Sequence, residues 1–144
     1  MKLTTKGRYA IIAMADLVLH SRTEPVSLKE ITKRQSISLS YLEQLFSKLK
    51  ESDLVQSVRG PGGGYQLGRE SSEISLLDII TAVDEKIDQT QCGGAMNCNK
   101  DHPCLTHYIW TELNEKINQY MRDITLSDIA TREDVKSIMI FRES

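Results

Sequence analysis

The sequence predicts a mainly α-helical chain with one small β-hairpin, organised as a winged helix-turn-helix followed by a long helix for self-association. Three observations predict it. Serines placed to cap helices stand at Ser27 and Ser38, ahead of a short and then a longer amphipathic stretch. Two short β-prone segments flank the glycine-rich run Arg59–Gly64. Apolar residues then recur at helical spacing from Leu105 to Met121. With 144 residues, 40% of them hydrophobic and 26% charged, the chain has room for one ordinary domain plus an appended element, not for two independent cores.

The first helix is expected after Thr4 or Thr5, either of which can cap, and to end near His20. Tyr9, Ile12, Ala13 and Leu17 form one apolar stripe on it, and Ile11, Met14 and Val18 a second, so the helix needs two partners, its own domain and a second subunit. Ser27 and Glu30 are spaced as a capping box for a short second helix that ends near Arg34–Gln35. The turn Gln35–Ile37 leads to Ser38 and a third helix with the buried stripe Leu39, Leu42, Leu45/Phe46 and Leu49. A short helix, a tight turn and a longer helix make a helix-turn-helix. Leu54–Val58 and Tyr65–Leu67 are the strands of a hairpin, and Ile74–Val83 reads as a further helix. Pro103 sits where a long helix is expected to begin, with Leu105, Tyr108/Ile109, Leu113, Ile117 and Tyr120/Met121 on one face, and Thr125 with Asp128 caps a last short helix. Such a helix outside a small core pairs with its own copy, which predicts a symmetric homodimer.

The apolar stretch Tyr9–Leu19 is interrupted by Asp16 and is too short and too polar for a signal peptide or a spanning helix, so a cytoplasmic protein with no membrane partner is expected. The net charge of −2 conceals an asymmetry: residues 1–70 carry eleven Lys/Arg against seven Asp/Glu, a net of +4, and residues 71–144 carry seven against thirteen, a net of −6. A basic front half is compatible with a nucleic-acid partner. If the third helix buries its leucines and Phe46, its other side presents Ser40, Tyr41, Glu43, Gln44, Ser47 and Lys48. Gln can pair with adenine, Glu can accept from cytosine, and Lys or Tyr can hold phosphate. On an isolated helix these would be ordinary solvated residues. The hairpin decides for double-stranded DNA, because Arg59 stands at the foot of a turn whose glycines allow close approach to a phosphate backbone. The candidate DNA contacts are therefore Ser38, Ser40, Tyr41, Glu43, Gln44, Lys48, Arg59, Gly60 and Gly62. A phosphate-binding nucleotide loop is excluded, since no Gly-Lys-Ser/Thr follows and a strand comes next.

All three cysteines fall within residues 92–104, and clustered thiols, odd in number, in a reducing compartment point to metal or redox chemistry. Cys92, Cys98, Cys104 and His107 supply three thiolates and an imidazole, a set suited to zinc or to an iron–sulfur cluster. The Cys-x-x-Cys pairs of structural zinc sites are absent, and the five-residue spacings with Gly93, Gly94 and Asn97 favour the larger cluster. Cys104 and His107 are expected on one face of the first turn of the long helix, whose positive end favours a thiolate. His102 is the weaker alternative to His107, and His20 is expected only to end the first helix.

The stretches Leu3–Ala10, Ser38–Phe46 and Ser57–Tyr65, together with the cysteine spacing and its Cys-Leu-Thr-His run, resemble the winged-helix family of iron–sulfur- and redox-responsive bacterial transcription regulators, over nearly the whole chain to about Ile129. The resemblance implies a homodimer with a [2Fe-2S] cluster on each subunit, held by the three cysteines and His107 and delivered by cluster-assembly proteins. It implies binding to palindromic promoter sites and repression of cluster-assembly genes while the cluster is present, with activation or a second class of sites for the cluster-free form. Glu43 matches the residue that discriminates between site classes, and Arg59 the wing contact. The tail is shorter and less basic than in the family, and Arg8 stands where related nitric-oxide sensors carry an acidic ligand, which speaks against a [4Fe-4S] sensor of nitric oxide. The expected organisation is a DNA-binding domain over 1–84, a cluster-binding loop over 85–107, a dimerisation helix region over 103–130 and a tail over 131–144 that is a candidate for disorder. The alternatives are a DNA-binding regulator with structural zinc, a nitric-oxide or redox sensor of the same family, and a cluster-bearing enzyme or electron carrier. Against the last, no substrate-site constellation or companion cofactor motif is found, and an enzyme is not expected.

Overall fold

The computed structural model of the chain describes residues 4–85, 95–97 and 99–143. Among these, seven α-helices and one two-stranded antiparallel sheet follow the predicted fold class. Helix α1 (Thr5–His20) runs through the middle of the core and buries Ala10, Ala13, Met14, Leu17 and Val18. Within the chain it packs against α2 (Leu28–Gln35), α3 (Leu39–Glu51), α4 (Leu76–Ala82), α6 (Leu126–Thr131) and the sheet, which cover both stripes where a second subunit was expected to cover one. Ile12, expected in the first stripe, is 38% exposed. Thr4 occupies the N-cap position without a side-chain bond. Its backbone amide donates to Glu85 Oε1 at 2.7 Å, so a distant carboxylate takes the place that the N3 carboxylate holds in a capping box.

Helix α2 (Leu28–Gln35) is opened by the predicted capping box: Ser27 Oγ accepts from the Glu30 amide, and Glu30 Oε2 accepts from the Ser27 amide. It ends on Ser36, whose left-handed backbone (φ 56°) reverses the chain within the short turn. Ser38 then caps α3 (Leu39–Glu51), which buries Leu42, Leu45, Phe46 and Leu49; Leu39 is only half-buried. Each of those four side chains contributes roughly 1.5–3 kcal/mol relative to exposure, enough to set the rotation of α3 and thereby which residues it turns outward.

The wing is β1 (Val55–Val58) paired antiparallel with β2 (Gly64–Leu67), Val55 opposite Leu67 and Val58 opposite Gly64. Its attachment was not visible in the sequence. Val26 and Tyr65 exchange backbone hydrogen bonds of 2.9 and 2.7 Å, so a single bridge ties the segment ahead of α2 to the wing. A Cβ at Gly64 would meet the Val26 carbonyl oxygen at 2.4 Å, which is why the strand begins on glycine. Phe46 packs on Tyr65 with ring centroids 4.9 Å apart and fixes the wing against α3.

A 3-10 turn (Ser71–Glu73) leads to α4 (Leu76–Ala82), a shorter helix than the 74–83 stretch predicted, capped by Ser75 and Asp78. Helix α5 spans His107–Asp123 and α6 Leu126–Thr131, the latter with the predicted Thr125–Asp128 capping box. The two capped starts are paired. Leu76 N donates to Ile124 O and Leu126 N to Ile74 O, both at 2.9 Å, with Ile74 and Leu126 fully buried beside them. The C-terminal end of α5 is thereby pinned to the start of α4. Helix α5 does not begin at Pro103 as expected but four residues later: residues 99–102 form a tight turn, with Asn99 and His102 exchanging backbone bonds, and a second turn, closed by His107 N donating to Cys104 O, lies between Pro103 and the helix. Leu105 consequently lies outside the helix and is fully exposed. The tail, expected to be a candidate for disorder, contains α7 (Glu133–Glu143), whose mixed apolar and charged residues show little helical periodicity in the sequence.

Candidate nucleic-acid interface and metal-ligand segment

The outward side of α3 is polar because its inward side is occupied by four core residues. Ser40, Glu43 and Gln44 are exposed there. Ser38 is committed to helix capping, its Oγ accepting from Tyr41 N at 3.3 Å, and so positions the reading face rather than presenting a spare hydroxyl. Tyr41 is half-buried and sits edge-on to Tyr9 of α1, ring centroids 5.8 Å apart, which fixes its orientation at the N-terminal end of α3. Lys48 lies one turn below Gln44 on the same row of the helix. It is not simply solvated, since its Nζ donates to Asp84 Oδ2 at 2.7 Å. That bond raises the Lys48 ammonium above its ordinary range and holds the Asp84 carboxyl below the usual carboxylate range.

At the wing tip Arg59, Gly60, Pro61 and Gly62 are all exposed, and Gly63 N donates to Gly60 O at 2.9 Å to close the turn. Gly60 (φ 97°) and Gly62 (φ 73°) adopt backbone conformations that favour glycine, and no atom stands within 4 Å of a Cβ placed on either, so the tip offers bare backbone beside the Arg59 guanidinium. The Lys50 Nζ–Ser57 Oγ bond of 3.0 Å, which sequence reasoning missed, ties the end of α3 to the wing. Helix and wing therefore form one connected surface.

Of the four predicted ligands, Cys92 and Cys98 lie outside the described residues. Cys104 is half-buried, and His107 is 4% exposed, with Tyr108 edge-on at 5.1 Å. The two are not on one face of a helical turn, as had been expected: α5 starts at His107, and Cys104 precedes it, joined by a backbone bond from His107 N to Cys104 O of 3.2 Å. The thiol still stands at the positive end of α5. Thr106, the N-cap residue, uses its side chain elsewhere, accepting from Trp110 Nε1 at 2.9 Å and lying 3.8 Å from Cys104 Sγ. His102 is exposed, its Nδ1 3.1 Å from the Pro103 carbonyl, whereas His107 is a buried imidazole directed by the fold, and three thiolates with one imidazole are a donor set that fits zinc or an iron–sulfur cluster.

One cluster escaped sequence reasoning. Asp16 in α1 is buried and accepts from Arg34 Nε (2.9 Å), Arg34 Nη2 (2.8 Å) and Gln35 Nε2 (2.8 Å), with His20 Nδ1 at 3.6 Å. The one signal was an acid inside an otherwise apolar helical stretch.

Comparison with known proteins decides the family. A family model named Rrf2 and described as an iron-dependent transcriptional regulator matches residues 3–132. The chain belongs to the Rrf2 family. It is 53% identical to the HTH-type transcriptional regulator IscR of Serratia proteamaculans over 135 residues, 94% of this chain and 82% of that protein. It is 52% identical to a putative HTH-type transcriptional regulator, ORF2, of Azotobacter vinelandii over 139 residues, 96% of this chain and 85% of that one. Among solved structures, the cysteine regulator CymR of B. subtilis superposes with a TM-score of 0.80 at 33% identity, covering 91% of this chain and 97% of CymR. T. potens IscR does so with 0.72 at 38%, covering 90% and 85%. As an Rrf2 protein the chain is a DNA-binding transcriptional regulator with a winged helix, and not an enzyme. Among the described residues, no helix is long and apolar enough to cross a membrane.

Proposed function

We propose that this Rrf2 protein is a cytoplasmic regulator, mainly a repressor, of iron–sulfur cluster assembly genes, and that it reports cluster status through a [2Fe-2S] cluster held by Cys92, Cys98, Cys104 and His107. The observation that carries the reading is the buried His107 imidazole one backbone turn from Cys104 at the foot of α5, in a chain about half identical to regulators named IscR. When bound, the cluster supplies a state that responds to iron supply and oxidants. The chain's own part is to present the thiolates at the positive end of α5 and to keep the imidazole out of water. A DNA-binding domain over 1–84 reads a palindromic promoter site, with Ser40, Glu43 and Gln44 toward base edges and Tyr41, Arg59 and the glycines of the tip toward phosphate, Lys48 joining them when its ammonium is released from Asp84. The exposed Tyr108, Ile109 and Trp110 of α5 support a homodimer in which the dimerisation helices meet. Cluster-assembly proteins are the expected donors. Because only unequal affinity for two states lets a ligand switch an equilibrium, loading residues 92–107 must alter how the paired recognition helices are held. The test compares loaded protein with its Cys92→Ala/Cys98→Ala/Cys104→Ala variant on cluster-assembly promoter fragments at fixed salt. A difference on at least one fragment is expected, and equal affinity on all of them overturns the reading.

A further inference from the structure

The end of α4 carries two consecutive acids that reach in opposite directions. The backbone there is held firmly: Asp84 N donates to Thr81 O at 3.1 Å, Glu85 N to Ile80 O at 2.9 Å, and Asp84 adopts φ 61°. Glu85, 8% exposed, turns inward and accepts from the Thr4 amide at the start of α1. Asp84 turns outward, and its carboxylate accepts from Lys48 Nζ of α3 at 2.7 Å. Both partners of this second bond are exposed, the Lys48 side chain 44% and that of Asp84 67%, so the pair adds little to stability. Its consequence lies elsewhere. Lys48 shares a helix row with Gln44, and a lysine there is a phosphate-seeking cation held by a carboxylate whose position is set by α4.

We propose that Asp84 is an intramolecular competitor for DNA phosphate: by holding the Lys48 ammonium it keeps one cation of the recognition helix out of the DNA contact and so limits affinity. Asp84 is a positioning residue that acts through Lys48 and touches no base. The inference rests on the reading of α3 as the DNA-facing helix. A carboxylate and a phosphate oxygen are alternative acceptors for the same ammonium, so releasing Lys48 from one makes it available to the other. A gained phosphate contact is recognisable, because it steepens the salt dependence of binding by about 0.9 in log K against log salt.

The experiment measures binding of the full-length chain to a short duplex of arbitrary sequence across a salt series, which reads the phosphate contribution alone. Asp84→Asn removes the charge while asparagine tolerates the left-handed backbone. Asp53→Asn is the matched control, since Asp53 is also exposed and has φ 60°. Asp84→Asn is expected to bind several-fold more tightly than wild type with a slope steeper by about 0.9, to exceed Asp53→Asn on both counts, and to lose that advantage in a Lys48→Gln background. Thermal midpoints of all the variants check that each is folded. Wild-type protein that binds no duplex overturns the DNA-facing assignment of α3 itself. Wild type that binds, with Asp84→Asn matching Asp53→Asn or with a gain that survives Lys48→Gln, overturns the competition.

Discussion

Arg34 grips Asp16 through two parallel bonds of 2.9 and 2.8 Å at the joint where α2 meets α1, and the Asp16 side chain has no exposure to solvent. A bidentate guanidinium is one of the few arrangements that compensates a carboxylate removed from water. Arg34→Met leaves that carboxylate to the Gln35 amide and the His20 ring. The expected cost is about 3 kcal/mol, the low end for a broken buried pair because Arg34 is itself partly exposed, and the thermal midpoint should fall by roughly 10 °C. A change of under about 2 °C in calorimetry would show that the joint is not held this way.

Glu43 and Arg59 should fail differently. Arg59→Ala is expected to weaken binding to every duplex and to reduce the salt slope by about 1, because the wing contacts backbone. Glu43→Ala is expected to leave the slope alone and to relax discrimination at particular base pairs by about 1–3 kcal/mol each. Binding to a panel of single-base-pair operator variants separates the two, and uniform loss in both substitutions would remove Glu43 from its reading role.

The Lys48–Asp84 pair sets a pH expectation. Asp84 is held below the ordinary aspartate range by the hydrogen bond and charge of Lys48, so its contribution is complete above that range and is lost as pH falls through the lowered value. Lys48 is raised above the ordinary lysine range by the same partner, so its contribution is complete below that range and is lost only at more alkaline pH. The stability difference between wild type and Asp84→Asn, small because both side chains face solvent, should therefore be flat between about pH 5 and 9 and vanish below about pH 4. Chemical denaturation across pH measures it, and a transition near neutrality would mean that another group governs the contact.

Ile109, 59% exposed beside Tyr108 and Trp110, is the place to interrupt self-association. Ile109→Asp puts a charge into the proposed helix–helix contact and should convert the dimer to a monomer in sedimentation while leaving the helical circular dichroism intact. A wild-type chain that sediments as a monomer at all accessible concentrations would refute the dimer reading.

The helix-turn-helix was legible because its signals are local: Ser27 with Glu30, Ser38 and the leucine–Phe46 stripe each declare themselves within a few residues. The features that sequence reasoning missed are bonds between distant residues. Thr4 is served by Glu85, Val26 by Tyr65, Asp16 by Arg34 and Lys48 by Asp84, and no local periodicity carries that information. Helix α5 starts later than Pro103 suggests because Cys104–His107 closes as a separate turn, and a proline is as compatible with the entry to such a turn as with a first helical turn. Cys104 and His107 stand close together across a turn rather than on one helical face, a turn having the same three-residue reach as a helix.

The proposed switch joins a DNA-reading winged helix to a metal centre, and one measurement addresses both halves. Protein purified anaerobically is examined by visible absorption and, in the same sample, titrated with cluster-assembly promoter DNA before and after the cluster is removed by chelation. Iron–sulfur absorption is expected that disappears on removal together with a change in affinity for at least one promoter. A colourless protein holding one zinc per chain, or coloured protein whose promoter affinities are the same with and without the cluster, would contradict the proposed switch.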